Sequence, residues 1–137
     1  MYWRITFLLL LADAYGRGGK ADEGLAILAE ALGGVEKTGI CFYEPEMHRL
    51  KGELLLARAP EHPTDAEACF RQAIALARRQ GANSWELRAV LSLSRLYHQQ
   101  GKKEEARPML AEIYGWFTEG FDTADLQEAK ALLQAVS

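Results

Sequence analysis

The chain has 137 residues, of which 49% are hydrophobic and 26% charged, and this composition is typical of one soluble globular domain. Its 19 acidic and 16 basic residues are spread along the chain and give a net charge of −3. A concentrated basic face for nucleic acid is therefore not expected. Cys41 and Cys69 lack CxxC spacing, so we predict buried thiols in a reducing cytoplasm rather than a disulfide or metal pair.

Seven helices are predicted from apolar residues that recur at intervals of three and four residues. Thr64, Ser84 and either Asp122 or Thr123 are the expected N-caps, because a side-chain oxygen there satisfies a free backbone N–H. Pro108 lies well inside the sixth helix and predicts a kink or a late helix start. No apolar run is long enough for a membrane span. The predicted helices cover residues 3–16, 21–37, 44–58, 64–80, 84–100, 102–116 and 123–135.

Self-similarity divides the chain into three units. Small residues at Ala12, Gly52 and Ser94 serve as anchors, and they lie 40 and 42 residues apart. A period of this length is typical of a solenoid of helix pairs, in which each unit buries its apolar stripe by stacking on its neighbours. The predicted units span residues 3–37, 43–80 and 84–117, and a capping helix spans residues 122–136.

The pattern inside the units resembles the tetratricopeptide repeat. The second unit departs from it with His48, Lys51 and Leu55, and the units exceed the usual length of about 34 residues. The resemblance implies an all-α, tetratricopeptide-like helix-hairpin solenoid, with three helix pairs and a cap, that binds proteins and is not an enzyme. The matching positions are Trp3 or Trp85, Leu8, Leu11, Ala12, Tyr15, Gly19, Leu28 and Ala31.

Three longer runs are similar to the C-terminal repeat region of large bacterial signalling proteins. In those proteins a nucleotide-cyclase or DNA-binding domain and a predicted NTPase module precede the repeats. The runs are Met47–Leu56, Ala66–Ala73 and Tyr114–Leu126. The resemblance implies a regulatory scaffold that binds a protein or peptide, or other domains of its parent chain. Related repeat regions in some transcription activators bind sugars between their helices, so a small-molecule sensor is the alternative.

Three rows of side chains are predicted on the first helices of the units, facing away from the packing stripe. In the superhelix that the chain resembles, this side lines a concave groove. Glu46 with Arg88 and Glu53 with Arg95 are opposite charges on neighbouring helices, so the face either forms ion pairs or contacts a ligand. The rows are Thr6, Glu46 and Arg88; Leu9, Arg49 and Leu91; and Asp13, Glu53 and Arg95.

The partner-binding residues predicted on this face include His98, because His98 and Gln99 extend the same surface. Tetratricopeptide domains that grip a C-terminal carboxylate use Lys, Asn and Arg at fixed groove positions, and only Arg88 fits that pattern here. A carboxylate clamp of that kind is therefore not expected. The predicted partner-binding residues are Arg49, Glu53, Arg88, Arg95 and His98.

No catalytic residue, metal site or cofactor is predicted. The pair Gly19-Lys20 is followed by Ala21, where a phosphate-binding loop requires Ser or Thr. Cys41 and His48 lack a third group that would orient them for nucleophilic chemistry. Glu44 shares a helix face with His48, but no clear further metal ligand accompanies them.

Aromatic residues cluster at both ends of the chain. One group is predicted to pack between the last unit and the cap: Tyr114, Trp116, Phe117 and Phe121. The other group begins an apolar helix that has no cap: Tyr2, Trp3 and Phe7. This open end indicates a fragment of a longer chain. Its aromatic residues are expected either to be buried or to contact preceding repeats or a second copy in a homodimer.

Overall fold

The computed structural model describes residues 2–38, 43–117 and 123–136. Within these ranges the chain forms helices and no strands, so the predicted all-α fold class is confirmed. Every predicted helix bound lies within one residue of its observed position. The helices are α1 (Tyr2–Arg17), α2 (Ala21–Thr38), α3 (Glu44–Arg58), α4 (Thr64–Gln80), α5 (Asn83–Gln99), α6 (Lys103–Gly115) and α7 (Ala124–Val136).

Three of the helices end at a glycine in the left-handed conformation. Gly19, Gly81 and Gly101 have φ values of 78°, 66° and 77°, which a residue with a Cβ adopts only at a cost. After each glycine the next backbone N–H returns to a carbonyl five residues back, as from Lys20 to Tyr15 at 2.8 Å. These are Schellman turns. The Gly-Lys pairs therefore end the first helix of a unit and connect it to the second.

The small anchor residues lie where the two helices of a unit approach most closely. A Cβ placed on Gly52 would lie 2.5 Å from a ring carbon of Phe70 on α4. Ala12 and Ser94, at the equivalent positions of α1 and α5, are fully buried. Small residues are needed here because a larger side chain would push the helices apart.

Two apolar clusters form the core of the described residues. The first joins α1, α2 and α3, and α3 contributes Met47, Leu50 and Leu54 to it. The second joins α4, α5, α6 and α7, with Leu55 and Leu56 of α3 packed against it. Helix α3 therefore contacts both clusters with different sides.

The helix ends correct two of the predicted caps and support a third. The N-caps of α4 and α5 are Pro63 and Ala82, and neither makes a side-chain cap hydrogen bond. Thr64 is instead the first residue of α4, and Ser84 lies inside α5. The N–H of Leu126 does donate to Thr123 Oγ1 at 3.4 Å, in the position of a cap. Asp122 lies outside the described residues.

Pro108 does not delay the start of α6, so that part of its prediction is wrong. The helix begins at Lys103 and continues through the proline. In the first turn of the helix, the amides of Glu105 and Ala106 both donate to the carbonyl of Lys102 at 3.3 Å. A proline that follows an established first turn removes one later hydrogen bond without preventing the helix from forming.

The aromatic residues near the cap divide between the core and the surface. Tyr114 and Phe117 pack against the second cluster, as predicted, whereas Trp116 is largely exposed. Phe121 and the side chains of Tyr2 and Trp3 lie outside what is described. None of the helices in the described ranges has the length and apolar character that crossing a bilayer requires.

Candidate functional site

A groove runs along the side of the molecule where the odd-numbered helices meet. It encloses a cavity of about 490 Å³, and a smaller hollow of about 180 Å³ adjoins it between α1, α3 and α5. The smaller hollow is mainly apolar and includes Leu9, Tyr43 and Trp85. The rings of Tyr43 and Trp85 pack at a centroid distance of 5.9 Å. The larger cavity is lined by Asp13, Gly16, Arg17, Arg49, Leu50, Glu53, Leu54, Ala57, Arg88, Leu91, Arg95, Asp125 and Glu128.

All nine side chains in the three predicted rows line one or both of these cavities. The reason is geometric, because a helix advances about 100° per residue and equivalent positions on stacked helices therefore face the same way. The placement of the rows on a shared surface follows the predicted register. Whether that surface binds a partner remains a prediction.

The floor of the groove is an ion-pair triad in which Glu46 and Arg49 are mostly buried and Arg88 is part-exposed. The Nε of Arg49 donates to Glu46 Oε1, and Arg88 Nη1 lies 2.5 Å from Glu46 Oε2. The side chains of Glu46 and Arg49 are only 8% and 12% exposed. Burial alone would lower the pKa of Arg49, but the charge and hydrogen bond of Glu46, together with the charges of Glu53 and Asp13, raise the pKa above its ordinary value.

The other predicted ion pair is also present and forms a larger network. Arg95 Nη2 lies 3.2 Å from Glu53 Oε1, and Arg49 Nη1 lies 3.9 Å from the same oxygen. The hydroxyl of Ser92 accepts from Arg49 Nη1 and from Arg95 Nη2, each at 3.3 Å. Both predicted inter-helix ion pairs, Glu46 with Arg88 and Glu53 with Arg95, are therefore present.

Helix α7 supplies two carboxylates that were not predicted. Glu128 accepts from Arg95 Nη1, and Asp125 lies 3.9 Å from Arg88 Nε. From the sequence, α7 is expected only to cover the last unit. The available signal was the spacing, since Asp125 and Glu128 share one helix face and carry the charge opposite to that of Arg88 and Arg95.

His98 is not among the side chains that line the groove in the described ranges. Arg88, Ser92, Arg95 and Gln99 follow one stripe of α5, whereas His98 lies about 80° away from Arg88 around the helix. Gln99 lines a neighbouring cavity together with Glu53. Of His98 and Gln99, which were both predicted to extend the surface, Gln99 lines a cavity that adjoins the groove, whereas His98 lines none of the cavities described.

The remaining titratable candidates do not assemble into a second site. Burial lowers the pKa of His48, which neighbouring Glu44 only partly offsets, and burial raises the pKa of the Cys69 thiol. Cys41 lies outside the described residues. Across residues 2–38, 43–117 and 123–136, no three His, Cys, Asp or Glu side chains are grouped as metal ligands would be.

Comparison with known proteins identifies one repeat directly. The profile of the tetratricopeptide repeat matches residues 87–116, which span most of α5 and all of α6. An uncharacterized protein of Rhizobium meliloti (strain 1021) is 33% identical over 90 residues, which cover 66% of this chain. The chain spans 9% of the length of that relative. No solved structure matches the chain. The chain thus contains a tetratricopeptide repeat within a helical repeat solenoid.

Proposed function

We propose that this chain is a protein-interaction module that binds a protein or peptide partner in the groove between α1, α3, α5 and α7. Tetratricopeptide repeats generally mediate contacts between proteins, and the repeat at residues 87–116 supplies α5, the helix that carries Arg88 and Arg95. The observation that carries the proposal is the convergence of nine in-register side chains from three helices on one concave surface.

The groove offers two kinds of contact to a partner. The outer ion pairs, which involve Arg88, Arg95, Asp125 and Glu128, are part-exposed, and such pairs contribute only about 0.2–1 kcal/mol each. A charged partner can therefore replace them at little cost. The apolar hollow beside Trp85 suits a bulky side chain of the partner, because aromatic residues in a concave surface commonly supply most of the binding energy.

Affinity capture with matched variants tests the groove. The bait variant carries Arg88→Ala and Arg95→Ala, which removes both part-exposed arginines but leaves the buried pair of Glu46 and Arg49. The control variant is Arg58→Ala, since Arg58 forms an exposed ion pair with Asp22 at 3.4 Å and does not line the groove. We expect a partner that wild type and Arg58→Ala retain and that the double variant loses.

Direct titration of the purified partner then completes the test. Isothermal titration should give an affinity that falls at least tenfold for the double variant and is unchanged for Arg58→Ala. Equal affinity for all three proteins would contradict the groove assignment. A different result would be that no captured protein binds wild type more strongly than the double variant, and that a metabolite raises the melting temperature of wild type. That result would favour the small-molecule sensor hypothesis.

We further propose that the chain is a regulatory segment of a longer bacterial signalling protein in the cytoplasm. The runs Met47–Leu56, Ala66–Ala73 and Tyr114–Leu126, which resemble the repeat regions of such proteins, support this proposal. The great length of the Rhizobium meliloti relative also supports it. The division into units at 3–37, 43–80 and 84–117, with a cap at 122–136, is part of the same proposal, as is a second contact surface at the N-terminal end.

A further inference from the structure

Helix α1 presents an apolar face that no described residue covers. Phe7 and Leu10 are 55% and 65% exposed, and Ala14 is also exposed. With Leu11 and Gly18 they occupy a stripe about 100° wide, because their positions recur at intervals of three and four residues. The stripe carries no charged residue.

The equivalents of Phe7, Leu10 and Ala14 in the other two units are buried. Relative to the anchor residues, Phe7 corresponds to Met47 and Leu10 to Leu50, and these two are 0% and 4% exposed. The next turn shows the same relation, since Leu54 corresponds to Ala14 and lies where a Cβ on Gly24 would be 3.1 Å from it. In α3 this stripe packs on the preceding helix pair. The exposed stripe of α1 thus continues an interface that the fold already uses.

The same face also contains a hollow. A cavity of about 300 Å³ is lined by Leu11, Ala14, Tyr15, Gly18 and Lys20. It lies between one and three helical turns from Phe7 along α1. A protruding ring and a hollow on a single helix are self-complementary, which is the requirement for a twofold interface between identical chains.

We propose that α1 is a homodimer interface, in which the α1 helices of two copies pack antiparallel around a twofold axis that passes near Leu10 and Leu11. In this arrangement Phe7 of each copy enters the hollow beside Ala14 and Gly18 of the other. The small residues at Ala14 and Gly18 allow the helices to approach closely. Leu10 also lines the smaller hollow, so this interface borders the groove, but Phe7, Ala14 and Gly18 lie outside the groove cavities and the proposal does not depend on a partner bound there.

Sedimentation equilibrium of the full chain tests for the dimer. From low to high micromolar concentration, wild type is expected to shift from the mass of one chain to twice that mass. The variant Phe7→Glu with Ala14→Glu should remain a monomer throughout, because it places four carboxylates in the interface. Trp116→Glu is the matched control, since Trp116 is an exposed aromatic residue outside this face and its loss should leave the dimer intact.

The double variant changes the dimer interface without changing a residue that lines the groove. Neither Phe7 nor Ala14 lines the groove cavities, so partner capture should be unaffected by the double variant. Circular dichroism of the double variant should match that of wild type, since both positions are exposed. If the double variant were unfolded, Phe7→Ala alone, with an expected tenfold or greater weakening of the dimer, would replace it.

Cysteine cross-linking tests the packing mode. In a chain with Cys41→Ser and Cys69→Ala, Leu11→Cys should be joined efficiently to its counterpart by a short bismaleimide, because residue 11 lies near the twofold axis. Gly18→Cys should not react, since its two copies would be separated by about 21 Å along the helices.

Three outcomes would overturn the proposal. A wild-type chain that stays monomeric at every concentration would show that the face serves another partner, such as a preceding helix pair. A dimer that survives Phe7→Glu with Ala14→Glu would place the interface elsewhere. Growth beyond a dimer would indicate head-to-tail contacts, which do not close on themselves.

Discussion

Helices α1 and α5 occupy equivalent places in the first and third units but are buried to very different extents. Helix α1 contains four consecutive leucines at residues 8–11, yet only Leu8 and Leu9 are buried. Helix α5 is less apolar, and nevertheless buries Glu86, Ser92 and Ser94 along with its apolar residues. Burial in this fold is therefore decided by whether helices pack on both sides, and only secondarily by the hydrophobicity of the helix itself.

Truncating a leucine at the same register in the two helices should produce the largest contrast. Leu93 on α5 and Leu11 on α1 each precede an anchor by one residue, but only Leu93 is fully buried. Leu93→Ala should lower the free energy of unfolding by about 2–5 kcal/mol. Leu11→Ala should cost well under half of that. Urea denaturation at low protein concentration, where self-association does not contribute, measures both, and equal losses would break the comparison.

Adding a methyl group at the anchor of the middle unit should have the next largest effect. In Gly52→Ala the new Cβ meets the ring of Phe70, and we expect a loss of about 1–3 kcal/mol despite the better helix propensity of alanine. Gly33→Ala on α2 is the matched control, because nothing lies within 4 Å of the added Cβ. It should gain roughly 0.5–1 kcal/mol. A gain at both sites would mean that close helix approach is not required.

Substitutions that exchange Ala and Ser at the anchors of the first and third units should change the free energy of unfolding in opposite directions. Ser94 Oγ is buried and makes no hydrogen bond within the described structure, whereas Ala12 fills the equivalent place without a polar atom. Ser94→Ala should therefore raise the free energy of unfolding by about 1 kcal/mol, and Ala12→Ser should lower it by a similar amount. Thermal unfolding of the two variants against wild type tests the signs, and a loss in Ser94→Ala would reveal a hidden partner.

The smallest expected effect is a pH dependence of the free energy of unfolding, which arises from His48 in the middle unit. His48 stands where the outer units have Leu8 and Val90, and burial lowers its pKa below the ordinary value of 6.5. Because the unfolded chain then binds the proton more readily, stability should be full above pH 6.5 and should fall as the pH drops from there towards the folded pKa. The melting temperature of His48→Gln should lose this slope, and an unchanged slope would assign it to other groups.

The repeat register explains why so much of the fold and the groove could be predicted. Apolar residues at intervals of three and four predicted the helix bounds. Because helices are rigid, the spacing of 42 residues between the second and third units then predicted the pairs Glu46 with Arg88 and Glu53 with Arg95. The contributions of α7 could not be obtained in this way, because the cap does not repeat the spacing of the three units. The missed caps at Thr64 and Ser84 have another cause, since which residue begins a helix depends on the backbone angles of the preceding turn.

The position of α3 between the two apolar clusters has a mechanical consequence. A tensile load applied between Tyr2 and Val136 passes through α3, whose Leu54 belongs to one cluster and whose Leu55 packs on the other. Extension of the molecule under force should therefore proceed in two steps. The contacts of α1 and α2 with α3 should open first, and α3 to α7 should extend as the second, more resistant segment, because α3 packs closely on α4 through Gly52 and Phe70.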